Sequence, residues 1–89
     1  MKYQKEFERL KLQKLQARHA KHGENSVLNP HAKLPPFNVL HAHFKEESRE
    51  LDQAIKQKDP ENILEELADI SNMVDMMFDA CFLEKVKQT

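Results

Sequence analysis

Two runs of apolar residues at helical spacing, parted by a three-residue breaker, constrain this chain more than any other feature. Before the breaker, Leu40, Phe44, Leu51 and Ile55 recur at intervals of four, seven and four. After it, Ile63, Leu67, Ile70, Val74, Met77 and Cys81 recur at four, three, four, three and four. Such intervals place each set on one face of an α-helix. Between them, Lys58-Asp59-Pro60 ends one helix and starts another. Aspartate is a favoured N-cap, and proline suits the first helical turn, where the N–H it lacks has no intrahelical partner. So short a link folds the two helices antiparallel. The expected elements are a helix from about 38, with Asn38 as N-cap, to 58, and another over 60–87.

Upstream, Tyr3 to about Lys21 has the pattern of a basic helix. Tyr3, Phe7, Leu10 and Ala17 share one side, Leu12 and Leu15 are expected to widen the stripe, and His22-Gly23 is a plausible stop. Residues 23–37, broken at Asn25-Ser26, Asn29-Pro30 and Pro35-Pro36, form a loop long enough to act as a lid, strap or mobile segment. Leu34 and Phe37 suggest that its end packs. One glycine and no tryptophan in 89 residues leave little room for strand hairpins. The expected fold is all-α: one domain over 1–89, an antiparallel bundle of about three helices.

Past Asn72 the last helix is apolar nearly all round: Met73, Val74, Met76, Met77, Phe78, Ala80, Cys81, Phe82 and Leu83. A helix packed on one side needs a stripe only about 100° wide. The surplus implies a second buried side, and another subunit is its simplest cover. The core is therefore expected to be completed by oligomerisation, as a homodimer or a dimer of dimers.

The net charge of −1 conceals a polarity. Residues 1–22 carry seven Lys/Arg against two acids, and residues 38–89 carry six against twelve. A nucleic-acid arm is one reading of the basic end. Docking near an acidic metal site, or near the phosphates such a site binds, is preferred, because the basic residues share their helix with apolar ones. The start MKYQKEFERL has no apolar signal region, and Met73–Leu83 is too short and too often charged to span a bilayer. Cys81 has no disulfide partner within the chain and is expected to be a small buried hydrophobe. A cytoplasmic setting follows. His19 and His22, or His41 and His43, do not complete a zinc quartet, and no acid has a histidine three residues later, which disfavours a di-iron bundle.

The chemistry lies in the acids. Glu46-Glu47-x-x-Glu50 sits on the helix before the breaker and Glu66-x-x-Asp69 on the helix after it. Residues three apart share a helical face, so Glu47 projects with Glu50 and Glu66 with Asp69. Alone, either pattern suits an ordinary solvated face. Both border apolar seams, however, and both lie within a few turns of Asp59-Pro60, so antiparallel pairing brings four carboxylates together. Such a group calls for a cation, and oxygen ligands suit a hard divalent one.

EExxE followed after fifteen residues by ExxD, within EESREL…AI and EELADI, resembles the metal-binding signature of the MazG-like all-α nucleotide pyrophosphohydrolases. That superfamily includes dimeric dUTPases and phosphoribosyl-ATP pyrophosphatases. The resemblance covers about Leu40 to Phe82. It implies Mg²⁺, or Mn²⁺, held by Glu47, Glu50, Glu66 and Asp69, with Glu46 in a supporting or second-metal role. It implies hydrolysis of a nucleoside triphosphate between its α- and β-phosphates. Asn72, three residues after Asp69, would then meet a phosphate or sugar oxygen, or else be a polar edge residue. Lys45, Arg49 and His43 are further candidates for substrate contacts, and Phe37 and Phe44 could stack on a base. The alternatives are a non-enzymatic helical interaction or nucleotide-binding module, and a phosphoribosyl-ATP pyrophosphatase-like enzyme. The base and the sugar stay open.

Overall fold

The computed structural model describes residues 1–22 and 34–87, with side chains described outside 19–22. Every regular element among them is helical: α1 (Gln4–His22), α2 (Phe37–Lys56) and α3 (Pro60–Lys87). The Gly23 stop, His19 and His22 as side chains, and most of the 23–37 loop lie outside the described residues.

Two units are distinct, one ending at residue 33 and the other starting at Leu34. The first contains α1. Its apolar residues do not gather on one face, contrary to the expected stripe. At 100° per residue, Leu12 and Leu15 fall on the far side from Tyr3, Phe7 and Leu10 and offset them. Local polar contacts support the helix: Gln4 Nε2 donates to Glu8 Oε1 at 2.9 Å, and the Lys11 Nζ lies 5.8 Å from the Phe7 ring centroid.

The second unit is an antiparallel hairpin of α2 and α3. α2 begins one residue before Asn38. Pro36 is its N-cap, with no side-chain cap bond, and its carbonyl accepts from the Val39 and Leu40 N–H groups at 3.1 Å each. Pro35, followed by another proline, is steered away from helical geometry, so the helix cannot extend further back. Asn38 falls inside the first turn and does not cap it.

At its other end α2 stops at Lys56, short of the expected Lys58. Lys58 is left-handed, with φ 53°, the only non-glycine residue of the described chain with positive φ. Its N–H donates to Ile55 O at 3.1 Å, and the Asp59 N–H donates to Ala54 O at 3.3 Å. That pair of reverse bonds is a Schellman closure, usually given to glycine. The chain then re-enters helix at once. Asp59 Oδ1 accepts from the Asn62 N–H at 3.3 Å, and Asp59 O accepts from the Ile63 N–H at 3.0 Å. Pro60 takes the first helical position.

The core differs from the expected seams. In α3 it is built on Ala68, Asn72, Met73, Met76 and Ala80, while Leu67 and Val74 are 41% and 50% exposed. In α2 the buried pair is Leu40 and Ala54, and Ile55 is 52% exposed. Cys81 is exposed rather than buried. The reason is size. Ala54 and Ala68 have no exposed surface, and alanine at a helix contact lets two backbones approach closely. Leu40, Met73 and Met76 fill the rest of the core, while Ile55, Leu67 and Val74 are left exposed.

Candidate metal centre

The hairpin sets α2 alongside α3 so that Glu47 faces the ExxD pair. One carboxylate oxygen from each of Glu47, Glu66 and Asp69 lies within 4.8 Å of the other two. All three side chains are half-buried. Glu66 and Asp69 are one turn apart on α3, and the fully buried Ala68 lies between them in sequence. So small a side chain at this level leaves room for α2 to pack close and for Glu47 to reach across.

Three negative charges at such separations repel strongly: about 4 kcal/mol per pair at 4 Å, with the effective dielectric of a protein surface. The protonation pattern reflects this. Burial, above all, pushes the Glu66 carboxyl up from its ordinary 4.5 to about 8, and the neighbouring Glu47, Glu50 and Asp69 charges add to it. Glu47 is also raised, first by burial and then by Asp69 and Glu50, while its hydrogen bond with Glu66 works the other way. Glu66 is therefore the group that holds a proton, and Glu47 is the acceptor. With both ionised, neither can donate to the other. Glu47 Oε2 and Glu66 Oε2 are then shut from solvent with no hydrogen-bond partner, a costly condition for any buried oxygen.

A proton or a cation can relieve that condition. The donor set is oxygen only, as a hard divalent ion requires. Ligand oxygens around an ion with bonds of 2.0–2.1 Å stand roughly 3–4 Å apart, so a small inward adjustment suffices. The residues present fit such an ion.

The other candidates separate clearly. Glu50 is exposed and outside the group of three, yet it acts electrostatically on both Glu47 and Glu66. Glu46 is exposed, and its Oε1 lies 4.0 Å from Arg49 Nη2. Arg49, 70% exposed, is thus paired outward; Lys45 and His43 are exposed as well. Asn72 is not an edge residue: it is 6% exposed, the one buried polar side chain among the described residues.

One arrangement escaped the sequence reading. Phe37, His41 and Phe44 form a stacked ladder along α2, with ring centroids 6.1 and 6.4 Å apart. The spacing of four and three was the available signal, obscured by pairing His41 with His43. Ser48 Oγ continues the same edge, donating to Phe44 O at 2.9 Å.

The family model of the MazG nucleotide pyrophosphohydrolase domain matches residues 37–88, all of α2 and α3 and more than half of the chain. The chain belongs to this family. No curated protein matches it, and no solved structure does. MazG domains generally use a divalent metal, and in this one Glu47, Glu66 and Asp69 are compatible with holding it. No helix of the described residues is long and apolar enough to cross a membrane.

Proposed function

We propose that this MazG domain hydrolyses a nucleoside triphosphate between its α- and β-phosphates, giving a monophosphate and pyrophosphate. The observation that carries the reading is the meeting of Glu47, Glu66 and Asp69, two of whose buried oxygens have no hydrogen-bond partner once both glutamates are ionised, inside the span matched by the family. Mg²⁺, or Mn²⁺ in its place, would be held by these three residues, with Glu50 joining from the rim. Bound there, the ion would supply charge neutralisation for the phosphates and ease departure of pyrophosphate.

The protein's own part is positioning. Glu66 gives up its proton on loading and becomes a ligand. Glu50, exposed at the edge of the cluster, orients an attacking water and accepts its proton. Asn72, buried one turn beyond Asp69 on α3, braces that face of the site and offers an amide toward the sugar or phosphate. Lys45 and Arg49 supply positive charge along α2, and His43 offers a further contact to the substrate. Glu46 restrains Arg49 from without and acts on the reaction only through it. The domain works as a homodimer, and a cytoplasmic setting supplies both nucleotide and Mg²⁺.

The test is pyrophosphate release from a panel of ribo- and deoxynucleoside triphosphates, with and without Mg²⁺. Turnover should require the metal and fall at least about 100-fold in Glu47→Gln and in Asp69→Asn, with helical circular dichroism unchanged. Metal-independent turnover, or full activity in both variants, refutes the proposal.

A further inference from the structure

Small residues meet at the level of the three carboxylates. Ala68, which has no exposed surface, lies between Glu66 and Asp69 on α3. Glu47 stands eleven residues before Lys58 and Asp69 eleven after it, and their carboxylates come together. That meeting sets the register of the hairpin, in which residues about equally far from Lys58 stand at the same level. Ten residues out on either side are Ser48 and Ala68. Ser48 is half-buried and adds little bulk, because its Oγ folds back to donate to Phe44 O at 2.9 Å. The large core residues Leu40 and Met76 come eighteen residues out, about 12 Å further along the helices.

We propose that Ala68 and Ser48 are the specificity-determining pair of the metal centre. They set how far apart α2 and α3 stand at the carboxylates, and so which size of ion fits best. The inference rests on the reading of Glu47, Glu66 and Asp69 as a metal centre, and deepens it by naming what selects Mg²⁺ or Mn²⁺ over Ca²⁺. Neither residue would touch the ion; both act through the carboxylates, as positioning residues.

The donor set makes the gap between the helices the deciding dimension. Glu66 and Asp69 share α3, whose own geometry fixes their spacing, whereas Glu47 alone reaches in from α2. Mg²⁺ binds oxygen at about 2.0–2.1 Å in nearly octahedral geometry, and Ca²⁺ at about 2.3–2.6 Å with more ligands. Neighbouring oxygens therefore stand about 3 Å apart around Mg²⁺ and roughly 0.5 Å further apart around Ca²⁺. Packed helix axes stand about 8–10 Å apart, according to the side chains between them. The spacing available to α2 and α3 thus varies by more than the two ions differ. Asp69, with the shortest side chain of the three, follows least when the helices part.

Isothermal titration of the full chain with the chlorides of Mg²⁺, Mn²⁺ and Ca²⁺ tests the pair. The unaltered chain should bind Mg²⁺ and Mn²⁺ more tightly than Ca²⁺. Ala68→Val and, from the opposite helix, Ser48→Val should each cut the ratio of Mg²⁺ to Ca²⁺ affinity at least about 10-fold, with helical circular dichroism retained. Ser48→Ala, which removes the hydroxyl without adding bulk, should leave that ratio unchanged. A merely structural role would weaken both ions alike. An equal fall for Mg²⁺ and Ca²⁺, a ratio that holds in both valine variants, or a preference for Ca²⁺ in the unaltered chain overturns the proposal. The two readings fail separately: if no ion binds the unaltered chain the metal centre falls and this proposal with it, while ions that bind with an unmoved ratio remove this proposal alone.

Discussion

Raising the pH of the metal-free protein should destabilise it, and Glu66 sets the size of the effect. Its carboxyl titrates near 4.5 in the unfolded chain and at about 8 in the folded one. Below 4.5 both states hold the proton and the site imposes no penalty. Between those values the unfolded chain ionises freely while the folded one resists, so stability drains away as pH rises toward 8. Fully expressed, the difference corresponds to about 5 kcal/mol. The side chain is only half-buried and its cluster shares the load, so solvent screening leaves about 2 kcal/mol. In a domain of this size that lowers the melting temperature by roughly 10 °C. Thermal melts of chelator-treated protein at pH 5 and pH 8.5 should show this fall. Glu66→Gln should abolish most of it, leaving the smaller contribution of Glu47, whose shift has the same sign. Saturating Mg²⁺ at pH 8.5 should restore the loss, because binding displaces the proton. A melting temperature that is flat or rises over this range, or a slope unaltered by Glu66→Gln, refutes the assignment of the proton to this carboxyl.

Other consequences are more local. Lys58→Gly should stabilise the hairpin by about 1 kcal/mol in a denaturant titration, since the left-handed turn costs a lysine but not a glycine. Asp59→Ala removes the acceptor for the Asn62 N–H and should cost about 1 kcal/mol in the same titration. Ala68→Leu should cost about 1–3 kcal/mol by overpacking, and isothermal titration should show weaker Mg²⁺ binding because the helices part at the level of the site. Glu46→Gln, by contrast, should change stability by less than about 0.5 kcal/mol and leave metal affinity unaltered.

Much of the hairpin was legible in the sequence because its signals are local. Asp59 and Pro60 announce a helix start through the chemistry of one cap and one missing N–H. The acidic pairs lie three apart because that spacing makes a helical face. Register across the hairpin is another matter. Nothing in the intervals of Ile63, Leu67, Ile70 and Val74 says which edge of a broad apolar helix meets its neighbour. Alanines at 54 and 68 decided it, and an alanine is an inconspicuous letter beside leucine and valine. The same blindness assigned Cys81 to the core. In α1 an interval pattern was visible, but Leu12 and Leu15 opposed it. The left-handed turn at Lys58 carries no sequence signal, since the glycine that usually marks one is missing.

The alanines within the contact and the large apolar residues left exposed on α3 answer to one requirement. Glutamate and aspartate side chains extend only a few ångströms from the backbone, so acids on different helices can share an ion only if the backbones stand close. Leucines at 54 and 68 would hold them apart and dissolve the site. Alanines at 54 and 68 allow the approach, but they bury little apolar surface in exchange, and a hairpin this short gains correspondingly little stability from its core. The leucines, valine and phenylalanines displaced to the outer face of α3 are where the missing burial can be recovered, provided another helix covers them. On this argument the metal centre and the exposed apolar face of α3 are linked by packing: a chain that tightens one helix contact to gather carboxylates gains by burying its larger residues at another. Replacing Val74 and Phe78 by glutamate should therefore lower the melting temperature even though both lie on the exposed face of α3, and a melting temperature that rises with protein concentration in the unaltered chain should no longer do so in the variant.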